Sequence, residues 1–497
     1  MNLFVKKPLS DMLNEADEEG QNALKRHLNG TSLIMLGVGA TIGAGIFLLT
    51  ARAIAMNAGP GVTLSFVVAG LGCAFAGLCY AEFASMVPVS GSAYTYSYGT
   101  MGQLVAWIIG WDLVLEYALG AATVSIGWSE YLNEFIKKFI GEAWMIPQAW
   151  CHSPFDLAQP GIMNIPALVV LLLMTMLLIR GIRESALVNG IIVFVKVTIV
   201  LLFIGLGWQF MQAENHHIQA GAKILLKTST GVESRDFGGW GGMWSAAGIV
   251  FFAFLGFDAV STAARETKNP KRNVPIGILG SLLICTTLYI LFSYVLTGIA
   301  PYTALQQKVP GTEIVTGVIS PALPIIIDQY MHGYGWLSGF ITVAVLFGFT
   351  SVILVNLMAQ SRVFISMSRD GLIPKVFSDI HPRFSTPAKS NLILFVFTGI
   401  FAAFVPRDTV GEMTSIGTLF AFILVCVGIL VMRRSNPDTP RPFKTPLVPL
   451  VPILGILFCG AMMLNLGVDN WIRLVIWLLI GLVIYFGYSR RRAKIKS

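Results

Sequence analysis

The chain has 497 residues, 55% of them hydrophobic and 12% charged, with mean hydropathy +0.72. That composition excludes a soluble domain and fits a polytopic membrane protein. The formal charge of +8 does not call for a nucleic-acid partner, because cytoplasmic loops of membrane proteins collect Lys and Arg.

Residues 1–30 place Asp11, Glu15, Asp17, Glu18 and Glu19 ahead of Lys25 and Arg26 without an apolar core. They read as a cytoplasmic tail with a short amphipathic segment, not as a cleaved signal. Twelve apolar spans follow. The first, 33–56, is long enough to cross a bilayer, yet its middle reads Gly37-Val38-Gly39-Ala40-Thr41-Ile42-Gly43-Ala44-Gly45. Each Gly costs a helix roughly 1 kcal/mol relative to Ala, so the helix is expected to break at mid-membrane. Broken backbone survives there only when it lines a cavity or is buried in protein. Freed N–H groups would attract a carboxylate and freed carbonyls an ammonium; an α-amino acid carries both. Close helix packing by small residues is the bland alternative.

Span two, about 61–86, is followed by span three, about 100–128, with Asp112 and Glu116 inside it. Spans four and five are about 163–180 and 187–210, and Lys196 stands alone in the middle of the fifth. A polar loop with His216 and His217 leads to span six, about 240–264, which holds Gly256 and Asp258. Spans seven to twelve are about 275–298, 336–365, 389–405, 412–432, 447–467 and 470–488. Of six cysteines, only Cys151 lies outside an apolar span, which is not a disulfide framework. With both ends on one side, 24 Lys and Arg fall on that side and 9 on the other, so both ends are expected to be cytoplasmic.

Spans one and six are both interrupted, and each opens a group of five. Five is odd, so the second group is inserted upside down. Interrupted helices at matching places in inverted halves point to a transporter's midplane site. Three stretches then fix a resemblance: GVGATIGAGIF in span one, FFAFLGFDAVSTAARETKNPKRNVPIGI in span six, and the loop SRDGLIPKVFSDIHPRFSTP. Together they resemble the cationic amino acid transporter family of the amino acid–polyamine–organocation superfamily, bacterial type, over about residues 25–490.

The resemblance implies an all-α polytopic fold. Two inverted five-helix repeats, 31–210 and 240–433, would be followed by two helices in 446–488. It implies no cofactor and no enzyme activity, and an inner-membrane location. The substrate carboxylate would meet N–H groups around Gly43, Ala44 and Gly45, next to Thr41. Its ammonium would meet carbonyls around Ile42, Phe252, Ala253 and Leu255. Phe252 or Phe254 acts as a lid or simply packs. Where relatives carry a second acid before ETKNP, this chain has Arg265, so inner-end pairing is expected to differ.

A Lys deep in an apolar helix is costly and marks function; Lys196 is expected to carry the coupling proton, bridging carbonyls of span one to Thr350 or Ser351 on span eight. Glu116 either pairs with Lys196, recognises a cationic side chain or holds water. Asp258 caps or orients the second half of span six, and Asn356 faces the cavity if its side of span eight points inward. The expected function is proton-coupled uptake of L-amino acids, cationic ones favoured, with small neutral amino acids or uncoupled exchange as alternatives. A channel would need a continuous polar filter, a sensor would bring a signalling domain, and the His216–His217 pair reads as solvated and not as a metal site. The side chain of the substrate and the oligomeric state are not legible.

Overall fold

In a computed structural model, residues 5–8, 28–87, 92–181, 186–217, 222–228 and 231–494 are described. The amphipathic segment expected in the tail lies outside them. Among the described residues, eight helical stretches are long and apolar enough to cross a membrane: Gly30–Met86, Gln103–Phe139, Gly190–Phe210, Gly239–Thr262, Pro270–Ile299, Gly335–Arg369, Arg407–Ser435 and Val468–Arg492. The first of these runs through spans one and two, joined by the tight turn Gly59–Gly61. Shorter apolar helices, Ile165–Ile179, Ala388–Phe404 and Leu450–Leu464, occupy spans four, nine and eleven. The chain is therefore a mostly helical, polytopic membrane protein.

Two expectations are corrected. Span three does not stop near 128; its helix continues to Phe139. The added turns are amphipathic, and their charges are held: Glu130 by Arg407, and Lys138 by Glu134 and Asp328. Such pairs let a helix outlast its apolar stretch. The fold is also not purely helical. Strands β1 (Lys223–Thr228), β2 (Gly231–Asp236), β3 (Gln306–Lys308) and β4 (Ile314–Val318) form one sheet in the order β2-β1-β4-β3. β1 and β2 pair antiparallel, with Lys223 opposite Asp236, while β1 and β4 run parallel. Ile224 and Leu226 point inward with Phe237 and Val315, whereas Lys223, Leu225 and Lys227 face out; this is the alternation a half-buried strand requires.

The sheet caps one end of the bundle, and the described parts of both chain termini lie at the other. Span two packs along span seven, span one lies against spans five, seven and eight, and span three runs along span eight. Spans one and six are thus enclosed by spans two, three, five, seven, eight and ten, and their residues are almost all buried.

Candidate functional site

Both expected breaks are present. In span one the α-helix ends at Thr41, Ile42 turns extended (ψ 99°), and helix resumes through Ala44 into a wide π turn, Gly45–Leu49. In span six a 3₁₀ turn, Phe251–Phe254, ends at an extended Leu255 (ψ 137°), and Asp258 precedes the short helix Ala259–Thr262.

The two breaks touch backbone to backbone. A Cβ on Gly45 would sit 2.1 Å from Ala253 Cα, and one on Gly256 would sit 2.9 Å from the carbonyl carbon and oxygen of Ala40. Gly256 also has φ +106°, a conformation that side chains resist. Glycine is required here by approach and by dihedral together. Gly43 is less tightly enclosed, with Val352 Cγ2 at 3.0 Å from its notional Cβ.

Lys196 is 2% exposed. Its ammonium donates to Gly39 O at 2.8 Å and to Ile42 O at 3.0 Å, so it holds carbonyls that the break in span one released. Of the two span-eight hydroxyls expected nearby, Ser351 is fully buried, whereas Thr350 Oγ1 donates back to Phe347 O at 2.7 Å.

Tyr289 on span seven is a residue that sequence reasoning missed. Its hydroxyl lies 2.9 Å from Thr41 O and 2.9 Å from Ala253 O, and so bridges the two broken helices. A phenol has one proton to give, so one of the two carbonyls remains open to another donor. The available signal was one of two Tyr residues in an apolar span, too common to single out.

The carboxylates gather on span three. Glu116 lies in a π stretch, Leu115–Leu119, a distortion frequent at functional sites. Asp112, Glu116 and Asp258 are at most 2% exposed. Tyr117 Oη donates to Asp258 Oδ2 at 2.6 Å. Neither oxygen of Glu116 or Asp112 has a well-formed hydrogen bond among the described residues, although Asp258 and Thr418 stand beside Glu116. Asn356 turns toward span three: its Nδ2 would be 3.2 Å from a Cβ on Gly120, one turn beyond Glu116. Phe252 is 5% exposed; Phe254 packs its ring 6.3 Å from Phe66 and 5.3 Å from Tyr289.

Ion pairs tie both ends of the site. At the sheet end Arg52 Nη2 binds Glu412 Oε1 at 2.6 Å, and its Nε lies 3.3 Å from Asp408. At the other end Arg362 binds Glu266 at 2.8 Å and also donates to Thr262, while Leu28 N donates to Glu266 O at 3.0 Å. The side chain of Arg265 lies outside what is described; its neighbour Glu266 makes the pair seen there.

Two apposed helix breaks buried at the centre of a membrane bundle, with ion pairs at either end, are the arrangement of a membrane transporter. A sequence profile of the amino acid permease family matches residues 28–487, and the chain belongs to that family. It is 43% identical to the branched-chain amino acid permease BcaP of Bacillus subtilis, over 100% of this chain and 99% of that protein. It is 39% identical to the methylthioribose transporter of the same organism, over 99% of this chain and 98% of the relative. With cationic amino acid transporter 4, vacuolar, of Arabidopsis thaliana it shares 34% identity, over 88% of this chain and 68% of that one. Amino acid transport by a multi-pass membrane protein is the function this family membership establishes.

Proposed function

We propose that this permease takes up L-amino acids together with protons, by alternating access around the paired breaks. The contact of Lys196 with Gly39 O and Ile42 O carries the reading. An ammonium there fastens span five to the broken part of span one; a neutral amine holds those carbonyls far less strongly. Protonation from outside then favours the substrate-ready form, and loss of the proton loosens span five and opens the inner path. Binding accordingly weakens as pH rises through the titration of Lys196.

Twelve crossings in two inverted sets of five plus two, with the termini cytoplasmic and the sheet outside, fit the interrupted helices and the distribution of Lys and Arg. The substrate carboxylate is assigned to the N–H groups of Gly43, Ala44 and Gly45, which open the second half of span one. Its ammonium is assigned to the carbonyls of Ile42, Phe252, Ala253 and Leu255, where the proton of Tyr289 leaves one acceptor open. Phe252 is the lid candidate, since Phe254 is engaged with Phe66 and Tyr289. A cationic side chain is favoured by Asn356 facing span three near the carboxylate of Glu116. A second reading, a branched neutral side chain, rests on the relative named as a branched-chain permease, aligned over the whole chain.

The test is uptake by purified protein in liposomes under an imposed pH gradient, with arginine and isoleucine as competitors. The wild type is expected to concentrate substrate when the outside is acidic, and Lys196→Ala to express and insert but to lose that pH-driven accumulation. Accumulation that survives Lys196→Ala would move the coupling proton elsewhere, with Glu116 next.

A further inference from the structure

The stem of Lys196 crosses span eight at one residue. A Cβ built on Gly348 would lie 2.7 Å from Lys196 Cε and 3.5 Å from its Cγ and Cδ. Gly348 is buried within an unbroken helix, Gly335–Arg369. Neither a turn nor a positive φ requires glycine there. What a methyl group there would meet is the lysine stem.

We propose that Gly348 is a positioning residue for proton coupling: its bare Cα forms the slot that lets Lys196 deliver its ammonium to Gly39 O and Ile42 O. The proposal rests on the coupling role given to Lys196 above and adds span eight to it. Cε is one bond from the ammonium. Two carbons normally keep about 3.5–4.0 Å apart, so a methyl group at 348 displaces Cε by roughly 1 Å. Hydrogen bonds of 2.8 and 3.0 Å do not both survive such a shift. The backbone of span eight therefore senses the position of the Lys196 stem, and the stem follows the proton.

The ionisable groups around this contact are few. Spans one, seven and eight all pack on span five. Residues 30–41 of span one carry no ionisable side chain, and span eight carries only Arg362 and Arg369 toward its far end. Span seven brings the Cys285 thiol close to Lys196, and Tyr289 one turn further on. None of these helices supplies a carboxylate there. The carbonyls are thus the groups whose loss shifts the balance, and the charged form is the one that suffers.

The experiment is a cycle of Gly348→Ala, Lys196→Ala and the double variant, with Gly205→Ala as control. Gly205 is in span five and has nothing within 4 Å of its notional Cβ. Gly348→Ala is expected to move the pH midpoint of uptake toward acid by about one unit, a tenfold change in proton affinity, and to lower thermal stability. In the Lys196→Ala background the same methyl group meets no stem, so Gly348→Ala should change neither stability nor residual binding. Gly205→Ala should keep the wild-type pH midpoint and be no less stable than wild type. An unchanged pH midpoint in Gly348→Ala overturns the proposal. So does an equal stability loss in both backgrounds, since that is the mark of plain packing. If Gly348→Ala alone does not fold, recovery of folded protein in the double variant supports the slot, and failure of the double variant as well refutes it. Persistence of coupling in Lys196→Ala alone would instead sink the role given to Lys196, while the stability cycle still decides whether the slot exists.

Discussion

Gly45 and Tyr289 show how single residues set the geometry of the centre. The notional Cβ of Gly45 falls 2.1 Å from Ala253 Cα, far inside van der Waals contact, so the backbones must separate for any other residue. Gly45→Ala is expected to destabilise by about 1–3 kcal/mol, the usual cost of forcing a methyl into a packed interior, and to abolish substrate binding by calorimetry; normal affinity would disprove the assignment of the carboxylate site. Gly43→Val is expected to lose binding while still inserting, since its branches would crowd the assigned carboxylate site, where Val352 Cγ2 already lies 3.0 Å from the notional Cβ. For Tyr289→Phe, removing the hydroxyl takes away the one proton that lies between two buried carbonyls. A loss of about 1–3 kcal/mol in stability should accompany slower uptake, and unchanged transport would make the bridge purely structural. Asn356→Met tests the side-chain reading: arginine binding should weaken by at least about tenfold, roughly 1.4 kcal/mol, with alanine binding nearly unaffected. Equal loss for both would show that Asn356 does not read the side chain.

Elements extend this logic where loops and helix ends are tied by charge. The last turns of span three persist because Glu130 meets Arg407, with side-chain exposures of 12% and 10%. Glu130→Gln leaves that guanidinium with Asp408, 3.3 Å from its Nε, and losing the second carboxylate costs about 1–3 kcal/mol. The expected result is faster hydrogen exchange in residues 129–139 and a lower melting temperature. In the loop before span four, burial alone would raise the carboxyl of Asp156. Its bonds to His152 and to the N–H groups of Ala158 and Gln159 outweigh that and hold it below the usual carboxylate range. A group depressed in the folded state stabilises above its unfolded pKa, and that contribution is lost as pH falls through the folded value. The amides of Ala158 and Gln159 should therefore lose protection from exchange only in acid, below about pH 4, and retain it at neutrality.

At the scale of the molecule, the bundle is tied at both ends of the proposed substrate path. Arg52 joins span one to span ten at the sheet end, and Arg362 joins span eight to the end of span six at the other. In liposomes, Arg52→Gln should expose the buried Cys285 to a charged thiol reagent from the sheet side, and Arg362→Gln from the side of the termini. Identical labelling in both variants would mean that these pairs do not hold opposite gates.

What the sequence by itself determined was set by local chemistry. Glycine clusters weaken a helix wherever it lies, a lone Lys in an apolar run has no cheap resting place, and length against hydropathy marks the spans. Hence the two breaks, the burial of Lys196 and Glu116 inside the membrane spans, and the family were legible. Tertiary structure decided what depends on partners distant in the chain. The meeting of Gly45 with Ala253 joins positions that no periodicity relates. Tyr289 acquires meaning only when the carbonyls of Thr41 and Ala253 arrive on either side of it. The facing of Asn356 was undecidable from period alone, because span eight is apolar nearly all round and offers no polar stripe to orient it. The sheet went unread although Lys223 to Lys227 alternate, since its pairing of β1 with β4 is long-range. Gly348 looked like any other small residue in a membrane helix until the stem of Lys196 was seen to lie across it.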